Sequence, residues 1–119
     1  EIALNKLDEL VGKKLWQQEK YKSYQSELTF ILREYIEKSL SVGALEMTTS
    51  ETMAALRERS VSPEKLADLS MMFNIADIVK FAKGVPEVNM HLELMDKARD
   101  FVHHIYGENR RKVELAEEE

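Results

Sequence analysis

The chain has no cysteine, only four glycines and only two prolines among its 119 residues. Without cysteine there is no disulfide framework, no cysteine-based zinc site and no thiol nucleophile. The shortage of glycine and proline removes most of the turn residues that strand-rich folds need, and no glycine-rich loop is present to cradle a phosphate. These absences disfavour β folds and phosphate-binding loops, and they favour an all-α domain.

Long hydrophobic runs are also missing. The longest purely apolar runs are short pieces such as residues 30–32 and 71–73, whereas a membrane-spanning helix needs roughly 20 apolar residues. No secretory signal peptide is visible in this segment, which we expect to be soluble. The 17 basic and 22 acidic residues give a net charge of -5, which disfavours a general nucleic-acid binder.

Apolar residues recur at spacings of three and four in the first forty residues, which is the period of an amphipathic helix. Residues 2–16 predict a first helix with Gly12 inside its apolar stripe. This glycine indicates either a locally weak helix or the close approach of another backbone. A second stripe, from Tyr21 to Leu40, predicts a helix that Gly43 would close in the left-handed conformation.

Two helix starts follow. Thr48 and Glu51 have the spacing of a capping box, in which a hydroxyl and a carboxylate satisfy two otherwise unpaired amides. They predict a third helix that stops near Ser60. Ser62 as the N-cap and Pro63 at the first helical position predict the start of a fourth helix.

Three further signals complete the prediction of helices. The buried face of the fourth helix is predicted to consist of Leu66, Leu69, Met72, Phe73, Ala76 and Val79, and Gly84 with Pro86 would end that helix. The last helix is predicted from about residue 87 to 106, with Gly107 after it. Its apolar stripe is Val88, Leu92, Met95, Ala98, Phe101, Val102 and Ile105.

We therefore predict one all-α domain, a compact bundle of about five helices over residues 1–107, followed by a polar C-terminal tail at 108–119. No repeat or linker divides the helices, and bundles with short connections place neighbouring helices side by side.

Candidate chemistry is sparse. Asp100, His103 and His104 form the most metal-like arrangement, but a di-iron bundle needs two acid-to-histidine pairs and two more carboxylates, and the HExxH pattern of zinc proteases is absent. We interpret these three residues as a polar cluster near a helix end. We predict no catalytic, cofactor-binding or metal-binding residue, and no cofactor.

A helix-turn-helix nucleic-acid module is the alternative function, because the third and fourth helices meet around residues 57–62. Arg57 and Arg59 could contact phosphates. The second helix of the pair, however, opens with Glu64 and Asp68 close to Lys65, so the end that would enter the major groove is not basic.

Six blocks of sequence carry a resemblance to a known family: LWQQ at 15–18, SELT at 26–29, ILREYIE at 31–37, ALEMTT at 44–49, ADIVKFAK at 76–83 and ARDFV at 98–102. In order and spacing, they resemble the C-terminal cytoplasmic domain of Bacteroidetes-type single-span membrane proteins of unknown function, which are related to the aerotolerance operon. The similarity extends from about residue 2 to 105, and the blocks that end at Thr49 and Lys83 are the more specific.

The resemblance implies a cellular location and a domain order for the whole protein. In such proteins a signal peptide, an extracytoplasmic β-sandwich-like region and one membrane span precede a helical domain of this kind, at the cytoplasmic face of the bacterial inner membrane. Their genes lie near those of MoxR-type ATPases and von Willebrand A-like proteins, so the resemblance implies a cytoplasmic protein partner and no catalytic residues.

Our leading hypothesis is thus a non-enzymatic protein-interaction domain that docks another cytoplasmic protein or a second copy of itself. The contact residues are expected to be exposed members of the similar blocks, chiefly Arg33, Tyr35, Lys80 and Phe81. Lys80 is expected to extend its ammonium group outward from a buried helix.

Overall fold

The computed structural model describes residues 2–82 and 85–118 and has the all-α fold that the sequence predicts. Its helices are α1 (Ile2–Gly12), α2 (Tyr21–Leu40), α3 (Thr49–Glu58), α4 (Pro63–Ala82) and α5 (Val88–Glu118). Short 3₁₀ turns at Trp16–Gln18 and Ala44–Glu46 precede α2 and α3. The described ranges contain no β-strand. The helix end predicted at Gly84 lies outside the described residues.

Helix α2 is the central element. It packs against α1, α4 and α5, while α3 packs against α4 and α1 also contacts α5. The fully buried side chains at this centre include Leu28, Leu32 and Ile36 of α2, and Phe73 of α4. Helix α5 has 31 residues and is therefore about 46 Å long. It accounts for most of the 52 Å length of the molecule.

The predicted helix starts are confirmed. Thr48 Oγ1 accepts a hydrogen bond from the Glu51 amide at 3.1 Å, and Glu51 Oε1 accepts one from the Thr48 amide at 2.9 Å, which completes the capping box. Ser62 Oγ accepts a hydrogen bond from the Lys65 amide at 3.3 Å. The six residues predicted as the buried face of the fourth helix are all buried. Local patterns thus positioned α3 and α4 correctly.

The first helix is shorter than predicted, because it ends at Gly12 rather than at residue 16. Nothing lies within 4 Å of the position that a Cβ at Gly12 would occupy, so the close approach of another backbone is the wrong interpretation. Glycine weakens a helix by about 1 kcal/mol relative to alanine. Lys14 then takes the left-handed conformation, with φ of 50°, and the chain turns so that Trp16 stacks on His91.

Gly43 does not close α2, so this prediction is wrong. Its φ is -71°, and Ser41 is the left-handed residue instead, with φ of 54°. The turn at Ser41 allows Val42 to be buried, and Arg59 Nη2 donates to the Ser41 carbonyl oxygen at 3.2 Å. Among the described residues, positive φ values occur at Lys14, Glu19, Ser41 and Ser60, and at no glycine.

The last helix differs from the prediction at both ends. Gly107 does not stop it, because α5 continues to Glu118 as an exposed helix. Residues 108–118 are rich in helix formers, and Arg111 pairs with Glu108 at 3.0 Å one turn away. At the other end, Val88 and Leu92 are exposed. Their expected places in the core are taken by His91 and Leu94.

Candidate functional site

The four side chains expected to contact a partner have very different environments. Phe81 is 82% exposed, whereas Tyr35 is 7% exposed and its hydroxyl donates to the Val102 carbonyl oxygen at 3.1 Å. Arg33 and Lys80 are half-buried. The expectation that all four are exposed is therefore wrong for Tyr35 and incomplete for Arg33 and Lys80, and only Phe81 projects fully into solvent.

Arg33 forms a junction between four elements. Its guanidinium donates four hydrogen bonds: to the carbonyl oxygens of Ala44 and Met47 at 2.9 and 3.0 Å, and to the hydroxyls of Thr52 and Thr49 at 3.1 and 3.3 Å. The guanidinium carbon also lies 4.3 Å from the centroid of the Phe73 ring, within the range of a cation–π interaction. Arg33 therefore ties α2 to the second 3₁₀ turn, α3 and α4. We call this cluster the Arg33 junction.

Lys80 points toward the bundle rather than outward. Its Nζ donates to the hydroxyl of Thr29 on α2 at 3.3 Å, and Thr29 is buried. Burial lowers the pKa of Lys80, and the nearby carboxylate of Asp77 opposes that shift. The prediction of an outward ammonium is wrong because the polar hydroxyl on α2 offers a partner inside the interface.

An exposed apolar surface lies where α4 ends and α5 begins. We define the α4–α5 patch as Ile78, Phe81, Val85 and Val88, all of which are more than half exposed. Ile78 and Val85 line a cavity of 410 Å³ together with Ile75, Val79, Pro86, Met90 and the polar residues Glu87, Asn89 and Glu93. Contiguous exposed apolar side chains that are bordered by polar ones are typical of interaction sites. Of the described surface, this patch best matches such a site.

A buried aromatic cluster surrounds His91, which sequence reasoning did not single out. His91 is 1% exposed. The ring centroids of Trp16 and Tyr21 lie 4.9 and 5.4 Å from that of the imidazole, in stacked orientation, and the Tyr24 ring contacts it edge-on at 5.6 Å. Burial lowers the pKa of His91 and raises that of Tyr24 to about 12. The cluster therefore favours an uncharged imidazole.

The imidazole nitrogens of His91 have no hydrogen-bond partner among the described residues. The backbone carbonyl of His91, by contrast, accepts from the Tyr24 hydroxyl at 3.4 Å. The arrangement thus packs and fixes the start of α5 on α2 and on the turn at Trp16.

The remaining candidates stay dispersed. Asp100 and His103 are exposed and His104 is half-buried, and within 2–82 and 85–118 no three His, Asp or Glu side chains are grouped to hold a metal ion. At the turn between α3 and α4, Arg59 is already engaged with Ser41. The nucleic-acid function remains a prediction.

Comparison of the chain with models of protein families, with curated proteins and with solved structures finds no match. Within the described ranges, no helix is both long enough and apolar enough to cross a membrane.

Proposed function

We propose that this domain is a non-enzymatic protein-interaction module and that the α4–α5 patch is its contact surface. The observation that supports it most strongly is the exposure of Phe81. Burying a phenylalanine side chain contributes roughly 1.5–3 kcal/mol, and leaving one 82% exposed on a small domain forgoes that contribution. Aromatic residues of this kind dominate the energetics of many protein interfaces.

The chemistry of the patch indicates what it would bind. Two of its apolar side chains, Ile78 and Val85, line a cavity that also carries two carboxylates, Glu87 and Glu93. A partner helix with an apolar stripe and basic flanking residues fits this combination, because apolar anchors would fill the cavity while cations face the carboxylates. The partner we propose is a cytoplasmic protein with such a helix.

The cellular setting of the proposal comes from the family resemblance. We infer that the domain is the cytoplasmic tail of a protein anchored in the bacterial inner membrane, with a MoxR-type ATPase or a von Willebrand A-like protein as its partner. Tethering would restrict the domain to two dimensions near the bilayer, so a modest affinity for the partner would suffice to recruit it.

The proposal is tested by replacing Phe81 with aspartate and measuring capture of the two candidate partners. Immobilised wild-type domain should retain the MoxR-type ATPase or the von Willebrand A-like protein of the same genome, and Phe81→Asp should reduce the retention at least tenfold. Phe30→Asp is the matched control, since Phe30 is also exposed but lies in the groove between α1 and α2.

Circular dichroism and urea unfolding of both variants show whether each is folded. Capture that survives Phe81→Asp, or is lost equally with Phe30→Asp, would argue against the α4–α5 patch. Absence of binding to both candidate partners would argue against the setting that the resemblance implies.

A further inference from the structure

The outer side of α5 carries a stripe of side chains that the core does not use. Its members are Leu92, Asp96, Arg99, His103, Tyr106, Arg110 and Val113. They follow one another at alternating spacings of four and three, which is the 3.5-residue period of helices that pair along their length. All are exposed except Arg99, which is half-buried. We call this set the α5 stripe. It extends over roughly 32 Å of helix.

When two copies of α5 run in opposite directions, each residue type in the α5 stripe faces a type that complements it. In an antiparallel pair of α5 helices centred on His103, Leu92 of one copy lies opposite Val113 of the other. Asp96 then lies opposite Arg110, and Arg99 opposite Tyr106. Each apolar residue meets an apolar residue, each charge pair is of opposite sign, and an arginine meets an aromatic ring.

The two charged members that would form the cross-pair, Asp96 and Arg110, are free to do so, whereas Arg99 already pairs with Asp8 of α1 at 2.7 Å. Within the described residues Asp96 has no ion-pair partner. Arg110 has only its neighbour Glu114 at 3.8 Å and the Tyr106 ring at 5.9 Å, and both side chains of the ion pair are well exposed. Such exposed contacts within one helix are weak and easily exchanged.

The parallel arrangement is disfavoured by the same residues. Parallel α5 helices in register would place Arg110 opposite Arg110 and Asp96 opposite Asp96, and like charges across a pair of helices repel each other. The two ends of the stripe are apolar, with Leu92 53% and Val113 56% exposed. The antiparallel arrangement covers both apolar ends and also avoids the like-charge pairs.

We propose that the domain self-associates as an antiparallel dimer through the α5 stripe, with a second copy of this chain as the occupant. A twofold interface of this kind is isologous, so each contact occurs twice. The dimer is separate from the α4–α5 patch, which stays available for another protein. Because the stripe offers few apolar anchors, the dimer is a weak one that tethering on a membrane would promote.

Charge reversal tests this proposal with two single variants, Asp96→Arg and Arg110→Asp. Each variant alone places like charges opposite each other at both ends of the dimer. A mixture of the two variants, however, restores both opposite-sign pairs in a heterodimer, and the double variant restores them in a homodimer. Sedimentation equilibrium at low salt, over a range from about 10 to 500 µM protein, measures all four samples.

We expect wild-type protein to dimerise with rising concentration and each single variant to bind itself at least about tenfold more weakly. The equimolar mixture and the double variant should recover the wild-type affinity. Glu58→Arg on α3 is the matched control for Asp96→Arg, since it makes the same change in net charge as that variant at an exposed site on another helix, and it should leave dimerisation unchanged.

A wild-type chain that stays monomeric at 500 µM would overturn the proposal. So would a dimer that tolerates both single variants, or a mixture of the single variants that remains monomeric. The Phe81→Asp variant should dimerise normally, which separates this test from that of the α4–α5 patch.

Discussion

The Arg33 junction and the end of α5 beyond Gly107 use similar charged residues in opposite ways. Arg33 bonds to groups that lie 11 to 19 residues away in sequence, and its guanidinium covers Phe73. Among the described residues, Arg111 at the end of α5 pairs only with Glu108, three residues away. No side chain of α5 after Ile105 is buried in the described range. Arginine therefore joins separate elements in one region and supports a single helical turn in the other.

This difference explains how each region keeps its structure. At the Arg33 junction, hydrogen bonds to backbone carbonyls hold a short turn that has little regular structure of its own. Beyond Gly107 the helix depends on intrinsic propensity and on exposed pairs worth about 0.2–0.5 kcal/mol each. Short helices without tertiary packing are marginal in water. The comparison thus predicts large effects of substitution in the first region and small ones in the second.

The largest effect is expected for Arg33→Ala. The change removes four hydrogen bonds and the contact with Phe73. It takes the Arg33 donor away from the Met47 carbonyl oxygen and leaves the Ala44 carbonyl oxygen with the Met47 amide at 3.3 Å. We expect a loss of about 2–4 kcal/mol in the free energy of unfolding, measured by urea denaturation. Arg33→Lys keeps the positive charge but not the planar guanidinium group, so the loss in the free energy of unfolding should be intermediate. A loss below about 1 kcal/mol for the alanine variant would contradict the role of the junction.

The pH dependence of the free energy of unfolding compares the buried His91 with the exposed His103. His91 is buried and its pKa is lowered in the folded state, whereas an unfolded chain takes up this proton near pH 6.5. Above that pH the group does not affect stability. As the pH falls below it, the unfolded state gains the proton first and the free energy of unfolding decreases, by up to about 1.4 kcal/mol per pH unit.

Urea unfolding at pH 7.5, 6.5 and 5.5 measures this dependence. His91→Gln should flatten the decrease, and His103→Gln on the exposed side of α5 should preserve it. Equal unfolding free energies at pH 7.5 and 5.5 in the wild-type protein would show that His91 is protonated as readily in the folded state as in the unfolded chain.

A smaller effect of the opposite sign is expected for Gly107→Ala. Gly107 lies in the interior of α5, and nothing occupies the space within 4 Å of a Cβ built there. Alanine should therefore stabilise the protein by about 0.5–1 kcal/mol, because glycine costs more conformational entropy in a helix. The midpoint of thermal unfolding should rise accordingly. Gly12→Ala, at the last residue of α1, is the comparison variant and should gain less.

The smallest effect is expected when the chain is ended after Asn109. This position keeps the hydrogen bond from the Asn109 side chain to the Ser39 carbonyl oxygen at 3.2 Å, and the removed residues that the structure describes, 110–118, are all exposed. At protein concentrations low enough to keep the chain monomeric, the free energy of unfolding should change by less than about 0.5 kcal/mol. A decrease above 1 kcal/mol would show that the end of α5 is coupled to the bundle.

The sequence predicted the helices well where local chemistry determines them. Capping by Thr48 and Ser62 depends on residues three positions away at most, and the periodicity of α4 identified its buried face. Tyr35 belongs to the apolar stripe of α2, so the helical spacing alone predicts that Tyr35 is buried. The contact role expected of Tyr35 came from the resemblance instead, and the two inferences conflict at this residue.

The features that could not be predicted depend on tertiary contacts. The partners of Arg33 come from a 3₁₀ turn whose position is set only when α2, α3 and α4 pack together. His91 is buried because aromatic rings from the first 3₁₀ turn and from α2 surround it. Its position, four residues before Met95 and seven before Ala98, fits the buried stripe, but its polar side chain favoured Leu92 in the prediction. The exposure of Phe81 follows likewise from where α4 leaves the bundle.

The left-handed residues near the helix ends have a consequence for adaptation. Lys14, Glu19, Ser41 and Ser60 all occupy a conformation that disfavours residues with a Cβ, by roughly 1–2 kcal/mol relative to the right-handed one. Glycine or asparagine would relieve this strain without touching the core. In a lineage selected for higher thermal stability, these four positions are therefore sites where glycine or asparagine would be favoured.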